Sequence, residues 1–104
     1  MLRVRLAERR VIELARQYRA VVVVGPRHIG KSSLTRRVFP GYAHVDFDDP
    51  EECRRVNAEP RRVLEEHPKL VLDEAQRLPE VFPLIKRHLD RHPRSRVVLV
   101  GRRS

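Results

Sequence analysis

Val4, Ala7, Val11, Leu14 and Tyr18 recur at steps of three or four with charged residues between them. That period predicts an amphipathic helix ending near Arg19. Residues 20–25, AVVVVG, show no alternation. A continuous β-branched run predicts a strand buried on both faces, as in a parallel sheet with helices on either side. Beyond a turn, Leu34, Val38 and Phe39 return to helical spacing, and Pro40-Gly41 stops that helix. Residues 42–47, YAHVDF, predict a second strand, ended by Asp48, Asp49 and Pro50. A polar, arginine-rich helical stretch follows and restarts at Pro60. Residues 69–74, KLVLDE, predict a third short strand. Pro79 opens another helix with Glu80 in its first turn and Val81, Leu84, Ile85 and Leu89 on one face. His92-Pro93 ends it, and residues 96–101, RVVLVG, predict a fourth strand. No repeat or low-complexity linker interrupts the order. Regular β–α alternation predicts an α/β fold with a mainly parallel sheet flanked by helices, as one domain over residues 1–104.

Composition narrows the function classes. The chain has 104 residues, room for a single core. Of the 23 basic residues only Lys31, Lys69 and Lys86 are lysines, which leaves 20 arginines against 14 acidic residues and a net charge of +9. Such a balance favours phosphate-rich partners, nucleic acid among them, although GC-rich coding also enriches arginine. The single cysteine, Cys53, excludes an internal disulfide. No run approaches the roughly 20 apolar residues of a membrane helix, and the N-terminus has no apolar signal core. A cytoplasmic protein with no membrane partner is the expectation.

The chemistry concentrates after the first strand. Gly25-Pro26-Arg27-His28-Ile29-Gly30-Lys31-Ser32 fits G-x-x-x-x-G-K-[ST] between a predicted strand and a predicted helix, the context a phosphate-binding loop requires. Gly25 and Gly30 allow the close backbone approach that a Cβ would block, so successive N–H groups can face phosphate oxygens. The helix that follows adds the positive end of its dipole. Lys31 is placed to reach the β- and γ-phosphates and the Ser32 hydroxyl to hold Mg²⁺, with Ser33 adjoining. A second segment agrees with the first. Leu70-Val71-Leu72-Asp73-Glu74 is an apolar strand ending in two carboxylates. Asp73 suits Mg²⁺ and its waters, and Glu74 suits the proton of an attacking water.

GPRHIGKSSL, YAHVDFDDP, LVLDEAQRLPEVFPLIKRHLD and VVLVG together resemble the core of prokaryotic AAA-plus ATPases, with loop GPR-x-x-GK-[ST] and second motif LDE-x-Q. The resemblance runs from the first predicted helix to Gly101. It implies a P-loop NTPase-like fold of the additional-strand class, ATP and Mg²⁺ as ligands, and the roles given above to Lys31, Ser32, Asp73 and Glu74. Gln76 matches the family's pattern too, as a polar group near the γ-phosphate. In the family the fourth strand runs into a small polar sensor residue, whereas here Gly101 precedes Arg102 and Arg103. The family also continues into a fifth strand beside the first and a helical lid, both absent from these residues. The resemblance thus implies an incomplete core with an exposed edge at the first strand. ATP binding with weak or no hydrolysis is the consequence, unless self-association or a partner chain completes the site.

Other signals are simpler. His88 and His92 stand four apart on a predicted helix and lack a third metal ligand, which favours a solvated helix face. Asp46, Asp48 and Asp49 suit a turn before Pro50. Arg54, Arg55, Arg61 and Arg62 form a basic patch around a loop, and an arginine finger at Arg102 or Arg103 rests on charge and position alone. A basic nucleic-acid-binding module and an inactive remnant are the competing readings. A helicase is set aside because Lys31 and Asp73 lie 42 positions apart, a compact core without later helicase motifs.

Overall fold

A computed structural model describes residues 4–25 and 31–102, except the side chains at 4–8, 11, 24–25, 31–34 and 102. In chain order the elements are α1 (Val4–Gln17), β1 (Ala20–Gly25), α2 (Lys31–Val38), β2 (Ala43–Asp46), α3 (Pro50–Ala58), α4 (Pro60–Glu66), β3 (Lys69–Asp73), a 3₁₀ turn (Ala75–Arg77), α5 (Val81–Arg91) and β4 (Arg96–Arg102). The strands are all parallel, in the order β1-β4-β3-β2. This is an α/β, P-loop NTPase-like sheet flanked by helices.

Local chemistry explains the boundaries. The Asp49 carboxylate accepts the Glu51 N–H at 3.0 Å, capping α3, and Pro50 fills the first helical position, where no N–H is needed. Pro60 plays the same part in α4, so the predicted restart is a real break at Glu59. Pro79 and Glu80, expected to open the next helix, lie in the turn before it. The preceding 3₁₀ turn carries the chain through Leu78 N–H to Ala75 C=O (3.0 Å) and Val81 N–H to Leu78 C=O (3.0 Å), and α5 starts at Val81.

Strand periodicity divides the core in two. Leu70, Leu72, Val97, Leu99 and Val45 face α3, α4 and α5, where Val56, Val63, Leu64, Val81, Ile85 and Leu89 cover them. Val71, Val98, Val100 and Val21 face the other way, onto Ala15 of α1 and Phe39 after α2. β3 is the centre of both layers, with Leu70, Val71 and Leu72 at most 1% exposed. Each such burial stabilises by about 1.5–3 kcal/mol.

One expectation fails at β1. Val22 lies in register with Leu99, and that row continues through Leu72 to Val45, yet Val22 is 65% exposed. β1 is an edge strand, as the family resemblance implied, and α5 packs over its neighbours rather than over it. The β-branched run is therefore buried on the α1 side only.

Candidate functional site

Because all four strands are parallel, their C-terminal ends share one edge of the sheet. The connection from β1 to β2 crosses one face through α2, whereas those from β2 to β3 and from β3 to β4 return across the other face. Right-handed crossovers running in opposite directions must use opposite faces. In open α/β sheets ligands bind at the C-terminal ends of the strands, where such connections diverge. Gly25 ends β1 at this edge and Lys31, Ser32 and Ser33 form the first turn of α2, whose leading N–H groups have no partner within the helix. Pro26, Arg27, His28, Ile29 and Gly30 lie outside the described residues, as does Arg103. Asp73 ends β3, in register with Asp46 of β2 on one side and Val100 of β4 on the other.

Glu74 is the unusual residue of the group. At φ 59°, ψ 42° it is the one non-glycine residue with positive φ among the described residues. A left-handed backbone costs a residue with a Cβ about 1–2 kcal/mol. The surroundings hold it there. Its N–H donates to Val100 C=O at 2.7 Å, pinning the end of β3 to β4. Its side chain is 3% exposed, and Oε2 accepts a 2.6 Å bond from Gln76 Nε2. Gln76 in turn depends on Gly101. An added Cβ there would meet Gln76 Oε1 at 3.2 Å, tighter than ordinary contact.

Beside this edge lies a cleft of about 320 Å³, lined by Thr35, Arg36, His44, Asp46, Glu52 and Asp73. Its floor is braced by a 2.6 Å bond from Asp46 N–H to Glu52 Oε2. Asp46 Oδ1 also accepts the Asp48 N–H at 2.9 Å, the turn expected before Pro50. Across the same edge Arg77 pairs with Asp48, tying the 3₁₀ turn to the start of α3. Among the described residues no three His, Cys, Asp or Glu side chains are arranged to hold a metal. A site that uses one carboxylate, a hydroxyl and phosphate oxygens does not need such a group, because Mg²⁺ keeps several waters. Asp73, a hard oxygen donor half-buried at the strand end, fits that chemistry.

Thr35 and Glu52 carry no motif, and the sequence reading passed over them. Thr35 stands one helical turn after Lys31, so helical spacing could have found it. Glu52 gives no such signal, since it comes to the edge through the Asp49 cap. The remaining candidates are structural. His88 is buried rather than solvated, with Nε2 3.1 Å from Ser95 Oγ and its ring stacked on His92 at 4.1 Å. Desolvation, with His92 adding to it, pushes the His88 pKa below its ordinary value. Arg54, Arg55, Arg61 and Arg62 lie on α3 and α4 rather than around a loop. Arg62 is shared between Glu59 and Glu66, at 3.4 and 2.8 Å.

A protein family described as "AAA domain" matches residues 17–104. Uncharacterized proteins of Mycobacterium bovis and Mycobacterium tuberculosis are each 36% identical over 74 residues, which is 68% of this chain and 17% of theirs. The chain thus spans about a sixth of the length of these curated relatives. No solved structure matches. No helix among the described residues is long and apolar enough to cross a membrane.

Proposed function

The chain belongs to the AAA-domain family, and from that membership we propose that it is a nucleotide-binding module that takes ATP with Mg²⁺ at the C-terminal edge of its sheet. The observation that carries the reading is the placement of Asp73 and Glu74 at the edge where β1 ends and α2 begins, with Glu74 held in a costly left-handed turn. Strained backbone is retained where it aims a group that function needs. In this reading Gly25, Pro26, Arg27, His28, Ile29, Gly30 and Ser33 form the phosphate cradle. Lys31 neutralises the β- and γ-phosphates, and Ser32 and Asp73 hold the cation. Magnesium, when bound, draws charge from the phosphate oxygens. Glu74 takes the proton from a water directed at the γ-phosphate, and Gln76 fixes which way its carboxylate faces.

Hydrolysis by these residues alone is slow in this reading, below about 1 per second. β1 is an edge of the sheet with Val22 open to solvent, and in this reading a further segment, a second copy or a partner chain pairs there and completes the site. Titration calorimetry with Mg-ATP on the chain and on Lys31→Ala tests the proposal. Saturable binding that disappears in the variant is the expected result. A folded chain that binds no Mg-ATP would leave the loop as architecture without activity and sink the reading.

A further inference from the structure

The two helical layers differ in charge. Residues 50–66 and 80–91, which span α3, α4 and α5, carry seven Lys and Arg and seven Asp and Glu. Residues 4–19 and 31–38, the opposite layer of α1 and α2, carry eight basic residues and only Glu8 and Glu13 as acids. The sheet therefore separates a neutral layer from one of net charge +6, a difference that the overall composition conceals. The basic patch suggested by Arg54, Arg55, Arg61 and Arg62 sits on the neutral side, among five carboxylates.

We propose that the α1–α2 face is a docking surface for the phosphodiester backbone of a nucleic acid. Arg9, Arg10, Arg16, Arg36 and Arg37 are all exposed on it. Arg9 and Arg16 are seven residues apart, so they lie on one side of α1, about 10 Å apart along its axis. The described cations of this face are all arginine, whose planar fork matches phosphate oxygens in pairs. The opposing charge is small: Glu13 lies 3.8 Å from Arg10, both more than half exposed, an arrangement worth little in water. Tyr18, 56% exposed between Arg16 and Arg19, adds an aromatic face on which a base can stack. A lipid surface fits less well. The apolar residues Leu14 and Ala15 of α1 are used against the sheet, which leaves that stretch no apolar face to sink into a bilayer. This surface borders the nucleotide site at Arg36, which also lines the cleft beside the strand edge, whereas Arg9, Arg10 and Arg16 of α1 stand apart from that cleft.

The test is fluorescence anisotropy with a short labelled DNA duplex and an RNA duplex of equal length, across a salt series. Three proteins are compared: the natural chain, Arg9→Ala/Arg16→Ala, and Arg54→Ala/Arg61→Ala, which removes the same charge from the opposite layer. Each phosphate contact contributes about 0.9 to the slope of log affinity against log salt. The α1 variant should lower that slope by about 1.8 and weaken binding, while the α3–α4 variant leaves both unchanged. Thermal melts establish that both variants are folded, as replacement of exposed side chains predicts. Equal loss in the two variants would reduce the effect to net charge and overturn the assignment. So would the absence of duplex binding at low salt, or tighter binding to anionic vesicles than to either duplex. Arg9→Ala/Arg16→Ala should bind Mg-ATP in calorimetry as the natural chain does, which separates failure here from failure of the nucleotide reading.

Discussion

The left-handed backbone at Glu74 is open to a direct energetic test. Glu74→Ala and Glu74→Gly both delete the buried carboxylate and its 2.6 Å bond to Gln76, so losses from the side chain are matched between them. They differ in what the backbone bears. At φ 59° alanine retains the penalty of a Cβ in the left-handed region, about 1–2 kcal/mol, and glycine escapes it. Against that, glycine adds about 0.4–1 kcal/mol of unfolded-chain entropy relative to alanine. The midpoints of those ranges leave the glycine variant ahead by about 0.8 kcal/mol. For a domain of this size that is roughly 3–6 °C in Tm, since each kcal/mol moves Tm by about 4–8 °C. Urea denaturation and thermal melts of the two variants measure it. An alanine variant more stable than the glycine one would refute the strain at this position, and with it the claim that the turn is maintained to aim a carboxylate.

Two further outcomes follow from burial. Leu72→Ala, in the central strand and 1% exposed, should destabilise by about 2–5 kcal/mol in urea titrations, whereas Val22→Ala on the open edge should change stability by no more than about 0.5 kcal/mol. His88 has a lowered pKa in the folded chain, so below about pH 6.5 the unfolded state binds a proton that the folded state resists. Its contribution is complete above that pH and is lost as pH falls toward the folded value. The urea midpoint should therefore drop between about pH 7.5 and about pH 5 by more in the natural chain than in His88→Gln, and equal drops would exclude the residue as a source.

The order and type of the elements were legible because each has a local cause: a 3.6 period at α1 and α5, proline at Pro50 and Pro60, apolar runs at β3 and β4. The motif residues at 25–33 and 73–74 stand out as types at fixed spacing, and the strand and helix expected on either side of the loop are β1 and α2. What escaped depends on distant partners. Four valines in succession look alike whether they form a central strand or an edge, so their pattern missed the open face at Val22, and the edge position came only from the family resemblance. His88 looked solvent-facing because Ser95, which meets its ring, returns to it only after the Pro93 turn. Arg62 could have been read better, since Glu59 and Glu66 stand three and four residues away on one helical face. The charge difference between the layers needed the fold itself, because α1 and α2 are separated in sequence by a strand that alternates between the two.

The strand order has a kinetic consequence. β3 pairs with β2 and with β4 across about 27 residues on each side, Ala43 to Leu70 and Leu70 to Val97, but β1 reaches β4 across 77, from Ala20 to Val97. By loop-closure entropy that longer span costs about 0.9 kcal/mol more, before any contact offsets it. The three-stranded unit of β2, β3 and β4 with α3 to α5 can therefore assemble first from nearer contacts, and β1 joins it last. The strand that leads into the predicted phosphate loop is also an edge strand, paired with β4 alone and across the longest span, so it belongs to the part of the molecule that opens most readily. A ligand bound at its end would then act as a clasp, joining the late-arriving strand to a core already formed.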